Sequence, residues 1–186
     1  MRHSGTATIK TARLTLRRFS VADAQSMFNN WANDPEVTKY LTWKPHGDVS
    51  VTENLLKEWV GSYEDASCYN WAIVPDGMKE PIGSISVVEC NENVGSMHIG
   101  YCISQKWWHR RITSEALAAV IDYLFNTTDV NRIDSRHDSK NPNSGNVMKK
   151  CGMKYEGTLR MADLNNTGVC DACYYSILRS EYIKPV

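Results

Sequence analysis

The 186-residue chain has no excess charge of either sign, no long apolar run and no second cysteine pair beside its one C-x-x-C. Lys plus Arg and Asp plus Glu both number 21, so no global field draws it to nucleic acid or an anionic membrane, and any anion must be bound locally. No stretch reaches the ~18 apolar residues of a membrane span. The basic opening, "MRHSGTATIKTARLTLRRF", has no apolar core followed by a small-residue cleavage site. With no repeat, low-complexity tract or linker, the expectation is one unexported cytoplasmic domain over residues 1–186. Six cysteines spread through apolar or mixed segments of a chain too large to need stapling fit reduced thiols. Cys170 and Cys173 in "GVCDACYY" would need a second pair for zinc, so the plainer reading is a turn entering a strand, and no metal is expected.

The patterning changes period along the chain. "RLTLRRF" alternates as a strand. "SVADAQSMFNNWAND" places Val21, Ala24, Phe28 and Trp31 on one helical face, with Ser20 as cap. A second helix, "SVTENLLKEWVGSYED", has Ser50 and Glu53 at capping-box spacing and a stripe of Val51, Leu55, Trp59 and Tyr63. Three strand-like runs follow, "YNWAIVP", "PIGSISVVEC" and "MHIGYCIS", with links short enough for an antiparallel meander. A long helix carries Ile112, Ala116, Ala119, Val120, Tyr123 and Leu124, and "NRIDSRHD" reads as a strand. "NPNSGNVMKKCG" is a short helix with Asn141 as cap, Pro142 first and Gly152 as stop. "MKYEGTLR" and "CDACYYSILRSEY" close the chain as a hairpin. The fold class expected is α/β (α+β), a mixed, mostly antiparallel sheet of about seven strands flanked by about four helices.

One stretch asks for a ligand. "KWWHRRITSEAL", residues 106–117, runs from a strand end through a tight turn into a helix. Such a turn offers unpaired N–H groups and the positive end of the helix dipole to a phosphate. Arg110 and Arg111 add cationic donors, although a solvated basic helix entry accounts for the same residues.

The element order, together with "RLTLRRF", "IGYCIS", "WWHRRITSEAL", "NPNSGNVMKKCGMKYEGTLR" and "YYSIL", resembles the GNAT superfamily of acetyl-CoA-dependent N-acetyltransferases. The likeness is closer to its ribosomal-protein N-terminal acetyltransferase branch, and it runs from about residue 11 to 182. The resemblance implies that residues 108–113 answer to the pattern Q/R-x-x-G-x-G/A, whose amides wrap the coenzyme pyrophosphate. Here those positions are Trp108, His109, Arg110, Arg111, Ile112 and Thr113, with Ser114 next. Arg111 stands where the family has its central glycine. It either obstructs the phosphate or binds it through the guanidinium.

The resemblance also implies that Asn141 and Ser144 face the pantetheine arm and its sulfur. Met148 stands where many relatives have a proton-donating tyrosine, which leaves Ser144 as the donor; helix capping explains the same two residues locally. An attacking amine must lose a proton, with reference pKa ~10.4 for lysine and ~7.7–8 for an α-amine. Glu89 is the first candidate for the base, His98 the second, and Glu92 a weaker third. Backbone amides around Cys102 and Ile103 are expected to meet the developing oxyanion. Cys102 and Cys151 are read as core rather than as acyl carriers.

For the acceptor, the connection over residues 39–48 offers Tyr40, Trp43 and His46 as a wall, or else as loop packing. Asp163 and Asp171 lie in a late turn and either hold a cationic amine or are merely solvated. The expected function is acetyl-CoA-dependent transfer to a primary amine by direct attack in a ternary complex. The alternative is a non-catalytic or weakened acyl-CoA-binding protein, motivated by Arg111. Acetyl-CoA and an amine acceptor are the partners, with a homodimer through an exposed sheet edge as a further expectation and no nucleic acid or membrane.

Overall fold

The structure, a computed structural model describing residues 1–182, is built on one eight-stranded sheet in the order β1-β2-β3-β4-β5-β6-β8-β7. Its strands are β1 (Ile9–Lys10), β2 (Leu14–Arg17), β3 (Asn70–Pro75), β4 (Gly83–Asn91), β5 (Ser96–Ile103), β6 (Arg132–Asp138), β7 (Lys154–Asn165) and β8 (Gly168–Leu178). Every neighbouring pair is antiparallel except β5 with β6. The helices are α1 (Ala24–Met27), α2 (Pro35–Thr38), α3 (Val49–Ser62), α4 (Ile112–Thr127) and α5 (Pro142–Lys150). Among the described residues no helix is long and apolar enough to cross a membrane.

β3 shows why the domain has two cores. All six of its residues are buried, so its alternation serves two faces at once. Trp71 and Ile73 enter the cluster under α4, while Ala72 and Val74 enter the cluster under α1 and α3. On the first face α4 buries Ile112, Ala116, Leu117, Val120, Ile121, Leu124 and Phe125. The expected Ala119 and Tyr123 are only partly buried at the margin of that stripe.

The helix entries differ in detail from their sequence reading. α3 starts at Val49 because Asp48, not Ser50, takes the cap and accepts the Ser50 N–H at 2.8 Å. The buried face is thereby Thr52, Leu56 and Tyr63, and Val51 is exposed. The first helical stretch is not one α-helix. A 3-10 turn (Val21–Asp23), α1, a π-helical turn (Phe28–Ala32) and α2 follow one another, with Trp31 and Ala32 fully buried at the π turn. Asp23 fixes the entry by accepting from Ser20 N and from both terminal nitrogens of Arg17, each at 2.8 Å.

The C-x-x-C pair lies within β8, where residues three apart point to opposite faces. Cys170 sits opposite Asp163 and Cys173 opposite Thr158, so the two thiols share neither a face nor a site. All six cysteines are free.

β4 and β5 meet with almost no room at Gly83. A Cβ there would lie 2.4 Å from the Cys102 carbonyl oxygen and 2.9 Å from Ile103 Cα, both backbone atoms. Gly83→Ala is therefore expected to cost ~1–3 kcal/mol or more through overpacking, read from denaturant unfolding; unchanged stability would contradict this packing.

Candidate active site

The parallel pair β5 and β6 stays together for only three registers, Ser96↔Arg132, Met97↔Ile133 and His98↔Asp134. Beyond His98 the strands part. β5 bonds on its far side to β4, as the Ser104 N–H to Ile82 C=O contact at 2.8 Å shows. Strand parity then aims the backbone groups of Ile99, Tyr101 and Ile103 into the opening and those of Cys102 toward β4. Two side chains answer the opening's carbonyls: Ser135 Oγ donates to Ile99 O at 2.7 Å, and Trp108 Nε1 donates to Ile103 O at 3.0 Å.

A 560 Å³ cleft occupies the opening. Its walls are the end of β5, the start of α4, the first turns of α5 and residues Glu36, Lys39, Tyr40 and Leu41 from the opposite side. Of the expected coenzyme residues, Cys102, Ile103, Trp108, His109, Arg111, Ile112, Thr113, Ser114, Asn141 and Ser144 all line it. Arg110 does not. Its guanidinium lies over the Trp107 ring, 5.1 Å from the centroid, and its carbonyl accepts from Arg13 at 3.2 Å.

The loop into α4 keeps the backbone form of a glycine turn without glycine. His109 and Arg111 both have φ of 62°, and Arg111 is the N-cap. A left-handed non-glycine residue costs roughly 1–2 kcal/mol. Outside contacts hold the turn: Arg13 bonds both the Arg110 carbonyl and Glu115 in the first turn of α4, the latter at 2.7 Å. The first backbone bond of the helix runs from Glu115 N–H to Arg111 C=O at 3.1 Å. The N–H groups of Ile112, Thr113 and Ser114 are left for an outside acceptor.

α5 forms the other wall. Asn141 is at the N-cap position, yet its side chain makes no capping bond, so capping does not account for it. Ser144 Oγ is 3.0 Å from the Tyr101 hydroxyl, which also donates to the Ser144 carbonyl at 3.0 Å. Burial pushes the Tyr101 phenol well above its ordinary pKa, outweighing the Ser144 hydroxyl. Gly145 allows α5 to sit this deep, because a Cβ there would meet His137 Nε2 at 2.5 Å. Cys151 donates to Ser114 O at 3.2 Å, linking the two helices, and burial lifts its thiol to about 12. Cys102 contacts Ser84 Oγ at 3.3 Å, and burial raises its pKa too.

The candidate bases lie elsewhere on the sheet. His98 Nδ1 meets Asp134 Oδ1, and Nε2 faces Arg136 Nη1 at 3.2 Å. A guanidinium only donates, so Nε2 is an acceptor already in use and Nδ1 carries the proton to Asp134. Glu89 is exposed, with Arg136 Nη1 at 3.6 Å. Glu92 faces the amino group of Met1 at 3.3 Å. Arg136 also bonds Asp163 at 2.7 Å, and Arg132 holds Glu156 through two contacts of 2.6 Å.

The 39–48 connection divides. Tyr40 lines the cleft, whereas Trp43 and His46 pack on each other at 5.2 Å, with His46 Nδ1 at 2.7 Å from Thr52 Oγ1. Asn166, at the turn between β7 and β8, clamps this segment through the carbonyls of Thr38 (2.9 Å) and Trp43 (2.7 Å). Asp171 accepts the Met161 N–H at 2.9 Å. Sequence reasoning missed Tyr101, Trp107, Lys140 and Lys150 in the cleft lining. Tyr101 shares the parity of Ile99 and Ile103, so its pattern reads as core.

A split parallel pair, with a helix N-terminus at its mouth and hydroxyl and amide side chains along one wall, is the architecture of an acyl-group transferase. The chain belongs to the acetyltransferase (GNAT) domain family, whose model matches residues 13–154, and it is an N-acetyltransferase. It is 29% identical over 94% of its length, and 98% of the relative's, to the uncharacterized N-acetyltransferase p20 of Bacillus licheniformis. It is 27% identical to the [Ribosomal protein uS5]-alanine N-acetyltransferase of Escherichia coli (strain K12), covering 80% of this chain and 79% of that one. Its fold superposes with a TM-score of 0.82 on RimL, a ribosomal L7/L12 alpha-N-protein acetyltransferase solved in complex with coenzyme A, at 17% identity over 92% of this chain and 98% of that one.

Glu156 gives a pH expectation for the sheet's outer hairpin, away from the cleft lining. The Arg132 and Ser176 bonds hold its carboxyl down at about 2. A depressed carboxylate adds stability above its unfolded pKa, ~4.3, and loses it as pH falls toward the folded value. Thermal midpoints between pH 5 and pH 2.5 are expected to fall more steeply for the native chain than for Glu156→Gln; parallel curves would contradict the pairing.

Proposed function

We propose that this protein moves the acetyl group of acetyl-CoA to a primary amine, either a protein N-terminal α-amine or a small-molecule amine, by direct attack while both are bound. The observation that carries the reading is the split of β5 from β6 with the unbonded α4 amides at one end and Ser144 and Asn141 on its wall. Acetyl-CoA, when bound, supplies an acetyl thioester. The 560 Å³ cleft and its donors fit such a group. Ile112, Thr113 and Ser114 N–H would take the pyrophosphate, with Arg111, Lys140 and Lys150 as nearby cations. The left-handed Arg111 backbone favours the binding reading over obstruction, because the loop keeps the shape a glycine would give it.

The N–H groups of Tyr101 and Ile103 are the donors suited to the developing oxyanion, and Ser144 Oγ is the group for the departing sulfur. The amine needs modest help if it is an α-amine, since its reference pKa of ~7.7–8 leaves a neutral fraction near pH 7. Glu89, exposed and only loosely paired with Arg136, is favoured over His98, whose two ring nitrogens are both engaged; it lies outside the cleft lining and so acts through water. Tyr40 and the clamped 39–48 connection form the acceptor side. The uS5-alanine N-acetyltransferase relative supports a protein N-terminus as acceptor. Six free thiols support a reducing, cytoplasmic setting.

Calorimetric titration with acetyl-CoA is the first test. Micromolar binding, about −8 kcal/mol, is expected; no binding up to millimolar would overturn the proposal. Ser144→Ala is expected to lower kcat by roughly ten- to hundredfold, the scale of a hydrogen bond to a charged group, with little change in acetyl-CoA affinity. Arg111→Gly is expected to weaken acetyl-CoA binding, and tighter binding would mean that the arginine obstructs the pyrophosphate.

A further inference from the structure

We infer that Tyr101 is a positioning residue for thiolate release, holding the Ser144 hydroxyl so that its proton points at the departing sulfur. The inference rests on the acetyl-CoA reading above. Ser144 is the only hydroxyl at its place on α5, since Met148 occupies the buried position one helical turn further on. A serine hydroxyl alone rotates freely, and its single proton has several acceptors to choose from. Tyr101 removes that freedom.

The phenol oxygen is 3.0 Å from Ser144 Oγ and 3.0 Å from the Ser144 carbonyl. Two arrangements are open to it. With the phenol proton on the carbonyl, the Ser144 hydroxyl donates back to the phenol, and the cleft faces a lone pair. With the phenol proton on Ser144 Oγ, the serine proton is freed to face the cleft. A negative sulfur favours the second arrangement, because two hydroxyls donating in series polarise one another. Burial of the phenol keeps its proton in place, so Tyr101 remains a donor throughout the working pH range.

The geometry that delivers this chain is built into three elements. Parity on β5 points the Tyr101 backbone into the split, while its phenol stands off the sheet face and reaches Ser144 on α5. Gly145 lets α5 descend onto His137, which brings Ser144 to the phenol. During transfer the amine nitrogen forms a bond to the acetyl carbon, the carbon–sulfur bond breaks and the sulfur keeps the electron pair. The Ser144 hydroxyl stabilises that charge by hydrogen bonding, and the thiol is completed by the proton released from the attacking amine through solvent. Tyr101 neither loses nor gains a proton.

The test reads the thiol itself and needs no acceptor. Coenzyme A is bound to the native chain, to Tyr101→Phe and to Ser144→Ala, and its thiolate absorbance is followed against pH. In the native chain the bound thiol is expected to titrate below the ~8.5 of a free thiol. Tyr101→Phe is expected to raise it, weakening the bound thiol as an acid by roughly three- to tenfold, on the scale of one neutral hydrogen bond. Ser144→Ala is expected to raise it further, and the double variant to match Ser144→Ala alone. An unchanged titration in Tyr101→Phe, or effects that multiply in the double variant, overturns the inference while leaving the acetyl-CoA reading intact. Failure of coenzyme A to bind the native chain overturns that reading, and the inference falls with it. Because a variant without the phenol can also loosen α5, thermal midpoints are compared too; a shifted titration is expected at a midpoint within a few degrees of native.

Discussion

The rest of the molecule depends on the point after His98 where β5 and β6 stop bonding. Two strands that part inside a domain leave N–H and C=O groups facing a gap, and each one buried without a partner costs ~1–3 kcal/mol. The structure offsets this with side chains rather than with a third strand. Ser135 reaches across to Ile99, Trp108 folds back onto Ile103, and the loop and α5 come in from the open end. What remains is a polar slot roofed by a helix start, a candidate binding site made by withholding hydrogen bonds from a sheet.

The split also explains which parts of the site could be read from the chain. Local patterning carries β2 and α4 through alternation and the 3.6-residue repeat, β3 through its strand-like apolar run, and α5 through its Asn141–Pro142 start and Gly152 stop. The α3 cap went to Asp48 over Ser50, two residues of equal capping chemistry between which spacing cannot choose. The π turn at Phe28–Ala32 was invisible because its apolar residues also satisfy an α-helical wheel. The parting of β5 from β6 is a pairing between residues more than thirty apart, and no local pattern encodes where such a pair ends. Tyr101 was hidden for that reason: beside Ile99 and Ile103 it looks like core, and only the absent neighbour strand makes it part of a cleft. The candidate coenzyme residues around 108–114 and 141–144 were proposed through a family likeness, not through periodicity, and all of those named except Arg110 line the cleft.

The polar network on the far half of the sheet carries a different lesson. His98 has the residue type of a general base, and from sequence it competes with Glu89. Its two ring nitrogens are both engaged, by Asp134 on one side and Arg136 on the other. Arg136 in turn holds Asp163 on β7, so His98 belongs to a chain of charges that ties β5 and β6 to the outer hairpin. Breaking one member of such a chain leaves its neighbours unpaired, and for that reason residue type alone overstates what a histidine is free to do.

Arg111 is where the conflict between local preference and site geometry is sharpest. Its φ of 62° belongs to glycine, and a chain choosing for local comfort would place glycine there. Without glycine the same turn must be held from outside, and the Arg13 contacts to Arg110 and Glu115 supply that hold from the start of β2. The arrangement has a chemical consequence. A glycine at this position gives the ligand only a backbone N–H, whereas arginine keeps the turn's shape and adds a cation at the cleft edge. The conformational cost is met by the Arg13 contacts behind the loop, and the added charge stands at the cleft edge. A departure from the family pattern that looks like damage in the sequence is, in the folded chain, the same turn with a different source of rigidity.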